Sequence, residues 1–198
     1  SSITEIEVVN SIPEDLSSYA VYDLSVSSKE PVKAWINDTK MYIGANGTIT
    51  APTSMFYFFG DFTSLVKITG LDNIDMTNVT SWKSMFYNDS KLVTVEGTEY
   101  WNPKALTNIS YMFCMCNSLP VVDLSSLDTS YITDASNMLN RVDYTGSGSG
   151  TISSITAAYA KTQTDADKLN GMSNIYYTKW VAKPEGSNFM IGRIADQL

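Results

Sequence analysis

Enzymatic chemistry needs a base, a nucleophile or a set of metal ligands, and this chain of 198 residues contains no histidine. That removes the commonest general base and the commonest metal ligand together. The two cysteines are Cys114 and Cys116. Two residues apart on an extended segment they point to one side but rarely meet the geometry of a disulfide. With no further Cys and no His, the usual four-ligand zinc site cannot be assembled within one chain. Both read as buried or semi-buried thiols. A paired-carboxylate hydrolase would draw on Asp123 with Asp128, or Glu96 with Glu99. Such a mechanism needs two acids held about 5 to 10 Å apart in a cleft, and these residues read more simply as solvated loop and strand-face positions. Ser90-Lys91 is too generic a pair to mark a nucleophile. Asp72-Asn73-Ile74-Asp75 gathers oxygen ligands, with Asp61 nearby, but no twelve-residue EF-hand loop or glycine-aspartate nonapeptide is present. No phosphate-cradling glycine loop appears either. The expectation is a protein that is not an enzyme, with no catalytic residue, no metal and no cofactor.

Composition narrows the class. Hydrophobic residues make up 43%, enough for a core, while charged residues make up only 17%. Ser, Thr and Asn carry much of the polar surface, as in many extracellular β-rich proteins. The net charge is −8, the pI about 4.4, and the 13 basic residues are scattered. No basic stripe exists to displace counterions from phosphate, so nucleic acid is an unsuitable partner. The acidity also argues against anionic lipid. No run of 18 apolar residues marks a membrane span. The chain opens Ser1-Ser2-Ile3 without a signal pattern or initiator Met, which reads as a segment of a longer secreted precursor.

The elements that would position any site come from a repeat. Met-Phe recurs at Met55-Phe56, Met85-Phe86 and Met112-Phe113, and weakly at Met138-Leu139, at spacings of 30, 27 and 26 residues. Val79, Leu106 and Ile132 stand six residues before the last three Mets, each followed by Thr80, Thr107 or Thr133. Leu65, Leu92 and Leu119 open strand-like runs after the first three pairs. A unit of this size cannot bury its apolar face alone. Stacking is expected to align Leu65, Leu92 and Leu119 in one ladder and Phe56, Phe86 and Phe113 in another. On this count the first unit carries three extra residues between Met55 and Leu65. The best-formed copy runs Ser118-Leu119-Pro120-Val121-Val122-Asp123-Leu124-Ser125.

These residues carry a resemblance. Met112 to Leu139, with Cys116 three residues after Phe113, resembles the BspA-type leucine-rich repeat of bacterial surface proteins. The likeness covers about residues 51 to 140. Asn102-Pro103-Lys104 departs from its Asp-Thr-Ser segment. The resemblance implies attachment to host or neighbouring-cell protein or glycan. The expected fold is therefore a leucine-rich-repeat-type solenoid, β-rich and irregular, divided as follows: residues 1–50 a β-rich N-terminal cap, 51–145 the repeats, and 146–198 a linker plus a helix-strand segment.

Within the cap, Ile3–Val8, Val21–Val26, Val32–Ile36 and Lys40–Ile43 alternate as strands, and Asn46-Gly47 is a favoured hairpin turn. Gly146 to Gly150 reads as a flexible break. Ile155 to Asn170 reads as helix, with Thr164 as N-cap, Asp165 and Asp167 in the first turn and Gly171 as the stop; Ile175 to Val181 reads as a strand.

The leading functional expectation is a cell-surface or secreted, extracellular binding and adhesion module. Its recognition face would be the outward residues Lys67, Thr69, Thr94, Glu96, Val121 and Asp123, with Tyr100 and Trp101 as aromatic anchors. Asp123→Ala is expected to leave folding intact. A structural spacer or phage surface component is the second reading, and a polysaccharide hydrolase the third. A spacer needs no concentrated exposed aromatics; an adhesin does.

Overall fold

The computed structural model describes residues 2–25, 30–142, 148–151, 154–172 and 178–192. Among the described residues fourteen strands and one α-helix follow one another. The strands are β1 (Glu5–Val9), β2 (Ala20–Asp23), β3 (Lys33–Asn37), β4 (Lys40–Gly44), β5 (Ile49–Thr50), β6 (Lys67–Thr69), β7 (Ile74–Asp75), β8 (Thr94–Val95), β9 (Val121–Asp123), β10 (Asn140–Val142), β11 (Gly148–Thr151), β12 (Ala157–Ala160), β13 (Trp180–Ala182) and β14 (Ile191–Gly192). Helix α1 spans Gln163–Met172, between β12 and β13. A seven-stranded sheet has the order β14-β8-β6-β1-β4-β3-β2, and a three-stranded sheet the order β13-β12-β9.

The expected leucine-rich-repeat solenoid is not what forms: the chain is a mixed, sheet-rich domain with one helix. In a solenoid the repeat strands would stack as one parallel run. Here β1 lies between β4 and β6 and pairs parallel with both. Strands β2 and β3 add antiparallel at one edge. At the other edge β14 pairs antiparallel with β8, and β9 turns instead to β12.

The break has a chemical cause. Val93 N–H donates to Val66 O at 2.8 Å. The residue 27 positions on is Pro120, which has no N–H to continue the row. Its own carbonyl accepts from Thr156 instead, at 2.9 Å. The copy that looks best formed in sequence is thus where the sheet divides. Gly192 fills the vacated edge at φ 114°, where a Cβ would stand 2.2 Å from Val93 O.

The 27-residue period survives in a stack of turns. Four N–H groups of Met55 to Asp61 donate to Ser81, Lys83, Met85 and Tyr87 carbonyls at 2.8–3.3 Å. Trp82, Ser84, Phe86 and Asn88 donate in the same way to Asn108, Ser110, Met112 and Cys114 at 2.8–2.9 Å, and Ile109, Tyr111, Phe113 and Met115 to the row beginning at Asp134. The threonines run alongside: Thr80, Thr107 and Thr133 each donate N–H and hydroxyl to the preceding Thr carbonyl. Each row holds non-glycine residues at positive φ, such as Tyr57, Ser84 and Tyr111. This backbone is uncommon for such residues and is held by the surrounding bonds.

The aromatic ladder exists, with one member changed. Phe59, Phe86 and Phe113 stack face to face, with centroids 5.5 and 5.2 Å apart and planes within 5°. All three are fully buried, whereas Phe56 is 57% exposed. Counting back seven residues from Leu65, as from Leu92 and Leu119 to Met85 and Met112, puts Phe58-Phe59 in register and removes the three-residue insertion. Leu65, Leu92 and Leu119 are buried as expected, with Ile3 at the equivalent place before β1.

The remaining sequence expectations divide. The four early strands form close to their predicted bounds, with residues 26–29 outside the described set. Asn46-Gly47 makes no hairpin; it is tied to residues 10–12 through Gly47 N–H to Asn10 O and Ile12 N–H to Asn46 Oδ1, while Asp38-Thr39 joins β3 to β4. Residues 157–160 are strand rather than helix, drawn into the parallel pairing with β9 and β13. The helix starts later, from a capping box in which Thr162 Oγ1 accepts Asp165 N–H and Asp165 accepts Thr162 N–H. It runs through Gly171 to Met172. Of the glycine-rich stretch, Gly148–Gly150 belongs to β11, paired with β10, and residues 146 and 147 lie outside the described residues; of the predicted strand at 175–181, residues 175–177 lie outside them and Trp180 and Val181 form part of β13.

Candidate binding groove

The first turn row differs from the rows behind it in what covers it. Phe58, Met85 and Met112 hold equivalent places. Met85 and Met112 are buried; Phe58 is 37% exposed. Its ring meets Phe59 edge-on, 4.9 Å between centroids. Among the described residues no row lies in front of it, so the apolar column ends at an open face.

Two cavities open along that face. One of about 460 Å³ is lined by Leu24, Val32, Ile43, Ile49, Met55 and Phe58, among others. A second of about 510 Å³ is lined by Ile3, Tyr22, Leu24, Ile43, Phe58 and Phe62, among others. Leu24, Ile43 and Phe58 belong to both, so the two form one groove between the β2–β4 ribbon and the first turn row. The ribbon supplies a wall because β3 and β4 alternate, burying Ala34 and Ile43. The most exposed ring in the lining is Tyr22, at 53%. Glu30, Thr48 and Thr50 are the polar lining of the first cavity. Size and lining match a site for an apolar ligand surface with a few polar fixings.

The residues expected to form the recognition face are not brought together as one outward surface. Lys67 and Glu96 are on the face and pair at 3.2 Å, both partly exposed. Thr69 and Val121 are partly exposed and Tyr100 is exposed. Thr94, Trp101 and Asp123 are buried, contrary to their outward placement in the sequence reading. Thr94 is closed in by β14. Trp101 turns inward because its indole N–H reaches Leu71 O at 2.8 Å and its ring packs 5.1 Å from Trp82. Asp123 is drawn under the C-terminal segment, where it meets Lys183 Nζ at 2.8 Å and accepts Ser125 and Met190 N–H groups. Val121 and Asp123 also sit in the other sheet from Lys67 and Glu96. Sequence reasoning missed Leu24, Ile43 and Phe58. The count back from Leu65 was the signal available for Phe58; no short-range signal joins it to Leu24 or Ile43.

Three titratable groups with large shifts, Asp89, Cys114 and Cys116, are closed off from solvent. Burial pushes Asp89 up to about 9, although it accepts the Phe62 N–H at 2.9 Å. Burial pushes the Cys114 thiol up to about 12 and the Cys116 thiol well above its ordinary range. Cys116 Sγ donates to Phe86 O at 3.0 Å. Neither thiol is ionised near neutrality, so neither is activated as a nucleophile. The oxygen-rich segment disperses: Asn73 Nδ2 donates to Val8 O, Asp75 caps its own turn at Thr77, and Asp61 pairs with Tyr57 and Asn88. Among the described residues no three His, Cys, Asp or Glu side chains converge as a metal site, and no helix is long and apolar enough to cross a membrane.

Fold and groove together define a sheet-rich domain with a stack of equivalent turns, open at its first row. A family model described as "Mycoplasma protein of unknown function, DUF285" matches residues 53–178, more than half of the chain, and the chain belongs to that family. No curated protein and no solved structure matches.

Proposed function

We propose that this chain is a non-enzymatic binding module of a bacterial cell-surface or secreted protein, and that it binds through the apolar groove at its first turn row. One observation carries the reading: Tyr22, Leu24 and Phe58, all at least 37% exposed, line two connected apolar cavities. A spacer has no use for such a concentration, and exposed apolar patches of this kind mark interaction sites. Family membership, together with the resemblance of Met112 to Leu139 to BspA-type surface proteins, supports the surface setting. The closed-off Asp89, Cys114 and Cys116 support the absence of enzymatic work. The partner class is a protein or glycan of a host or neighbouring cell.

The test is a labelled chain applied to an array of extracellular peptides and glycans, alongside Leu24→Glu. The proposal expects binding by the wild type and loss of it in a folded Leu24→Glu variant. Binding that persists unchanged in the variant contradicts it, as does an array with no retained ligand.

A further inference from the structure

The open row presents backbone as well as rings. In the second row, Ser81, Lys83, Met85 and Tyr87 carbonyls each accept an N–H from the first row. Their equivalents in the first row, 27 residues earlier, are the carbonyls of Ser54, Phe56, Phe58 and Gly60. Among the described residues none donates to these four. They recur at every second residue, beside an exposed Phe56 and Phe58. Thr53 at the head of the row has the N–H and hydroxyl that Thr80, Thr107 and Thr133 use to bond the row before them.

We propose that the edge Ser54–Gly60 docks a segment of a partner polypeptide that takes the same turn-row backbone, whose alternate N–H groups donate to these four carbonyls while its apolar side chains enter the groove. The inference rests on the binding-module reading and names the partner's chemistry. The acceptor row selects it. A polypeptide backbone in this turn conformation repeats N–H donors at the spacing the protein's own rows use, the counterpart in a stack of turns of strand addition to an open sheet edge. A glycan has no donors at a matching fixed repeat. A second copy facing this edge with the same edge would set four acceptors against four acceptors. The apolar column makes the same demand, since Phe58 is exposed where Met85 and Met112 are covered by the row in front.

The probe is a peptide of residues 80–89, the segment that already makes this contact toward the third row. Its Trp82, Ser84, Phe86 and Asn88 N–H groups would face Ser54, Phe56, Phe58 and Gly60. Carbonyl-carbon NMR of the full chain reads the titration. Expected are saturable shifts at those four carbonyls with a dissociation constant below about 1 mM. Peptide N-methylated at Trp82, Ser84, Phe86 and Asn88 should bind at least about 10-fold more weakly; methylation at Ser81, whose N–H donates to no carbonyl of the row, should not weaken it. No shift at about 1 mM peptide, or equal binding by both methylated forms, overturns the assignment. If the array retains glycans alone and loses them in Leu24→Glu, the binding-module reading stands and the polypeptide assignment falls. A concentration-dependent dimer that buries Phe58 would also overturn it.

Discussion

At the scale of single residues, the ladder assigns large and small effects to phenylalanines that look alike in sequence. Phe86 is stacked on both faces, so Phe86→Ala should cost ~3–5 kcal/mol in a denaturant titration. Phe56→Ala should fall within about 0.5 kcal/mol of wild type, because the ring is largely in water. Near-equal losses would mean the register is wrong. Asp89 gives a pH signature. Its folded-state pKa of about 9 lies above the ordinary 3.8, so between those values the folded chain holds a proton that the unfolded chain releases. Stability from this group therefore falls as pH rises from about 4 to about 9. Asp89→Asn removes that slope. Thermal scans at pH 5 and pH 8 should show the wild type losing ground to the variant at pH 8, by on the order of a few kcal/mol. A wild type that gains on the variant as pH rises contradicts the burial argument.

At the scale of elements, the legible parts are those whose signal is local. Strands β1, β3 and β4 announce themselves by alternation. The rows were legible as a period but not in register, because Met55-Phe56 mimics the repeated pair three residues too early. The division of the sheet was written at Pro120, yet a proline in an otherwise regular strand reads as tolerable until its missing N–H is set against Val93 O. The strand at 157–160 was hidden for another reason: Ala157-Ala158-Tyr159-Ala160 has helix-forming composition, and pairing with β9 and β13 overrides it. Asp123 belongs at this scale because it fastens the C-terminal segment. Asp123→Ala leaves Lys183 without its partner beneath Phe189. The expected cost is about 3 kcal/mol, measured by denaturation, with faster amide exchange at Ile191. Unchanged stability would show that the Asp123–Lys183 pair does not hold β14.

At the scale of the whole molecule, the chain is a stack closed behind by later segments and open in front. The ends differ in composition as well. Behind the last row, β10 and β11 pair and α1 packs near Thr129 and Ser130, where Lys168 reaches both carbonyls. In front, the Phe56 and Phe58 rings are exposed, and four carbonyls have no donor among the described residues. Along Lys67–Thr69 and Thr94–Glu96 the alternation leaves Lys67, Thr69 and Glu96 at least partly exposed, while Thr94 is covered by β14, which lies far away in sequence. The groove was not legible for a like reason: Leu24, Ile43 and Phe58 meet only through the sheet order that inserts β1 between β4 and β6. The claim that the open first row is the binding end is tested most directly by comparing the array binding of Phe58→Glu and Tyr100→Ala, each verified as folded. The account predicts that Phe58→Glu abolishes binding while Tyr100→Ala retains it. Binding kept by Phe58→Glu and lost by Tyr100→Ala would move the site to the strand face and contradict the account.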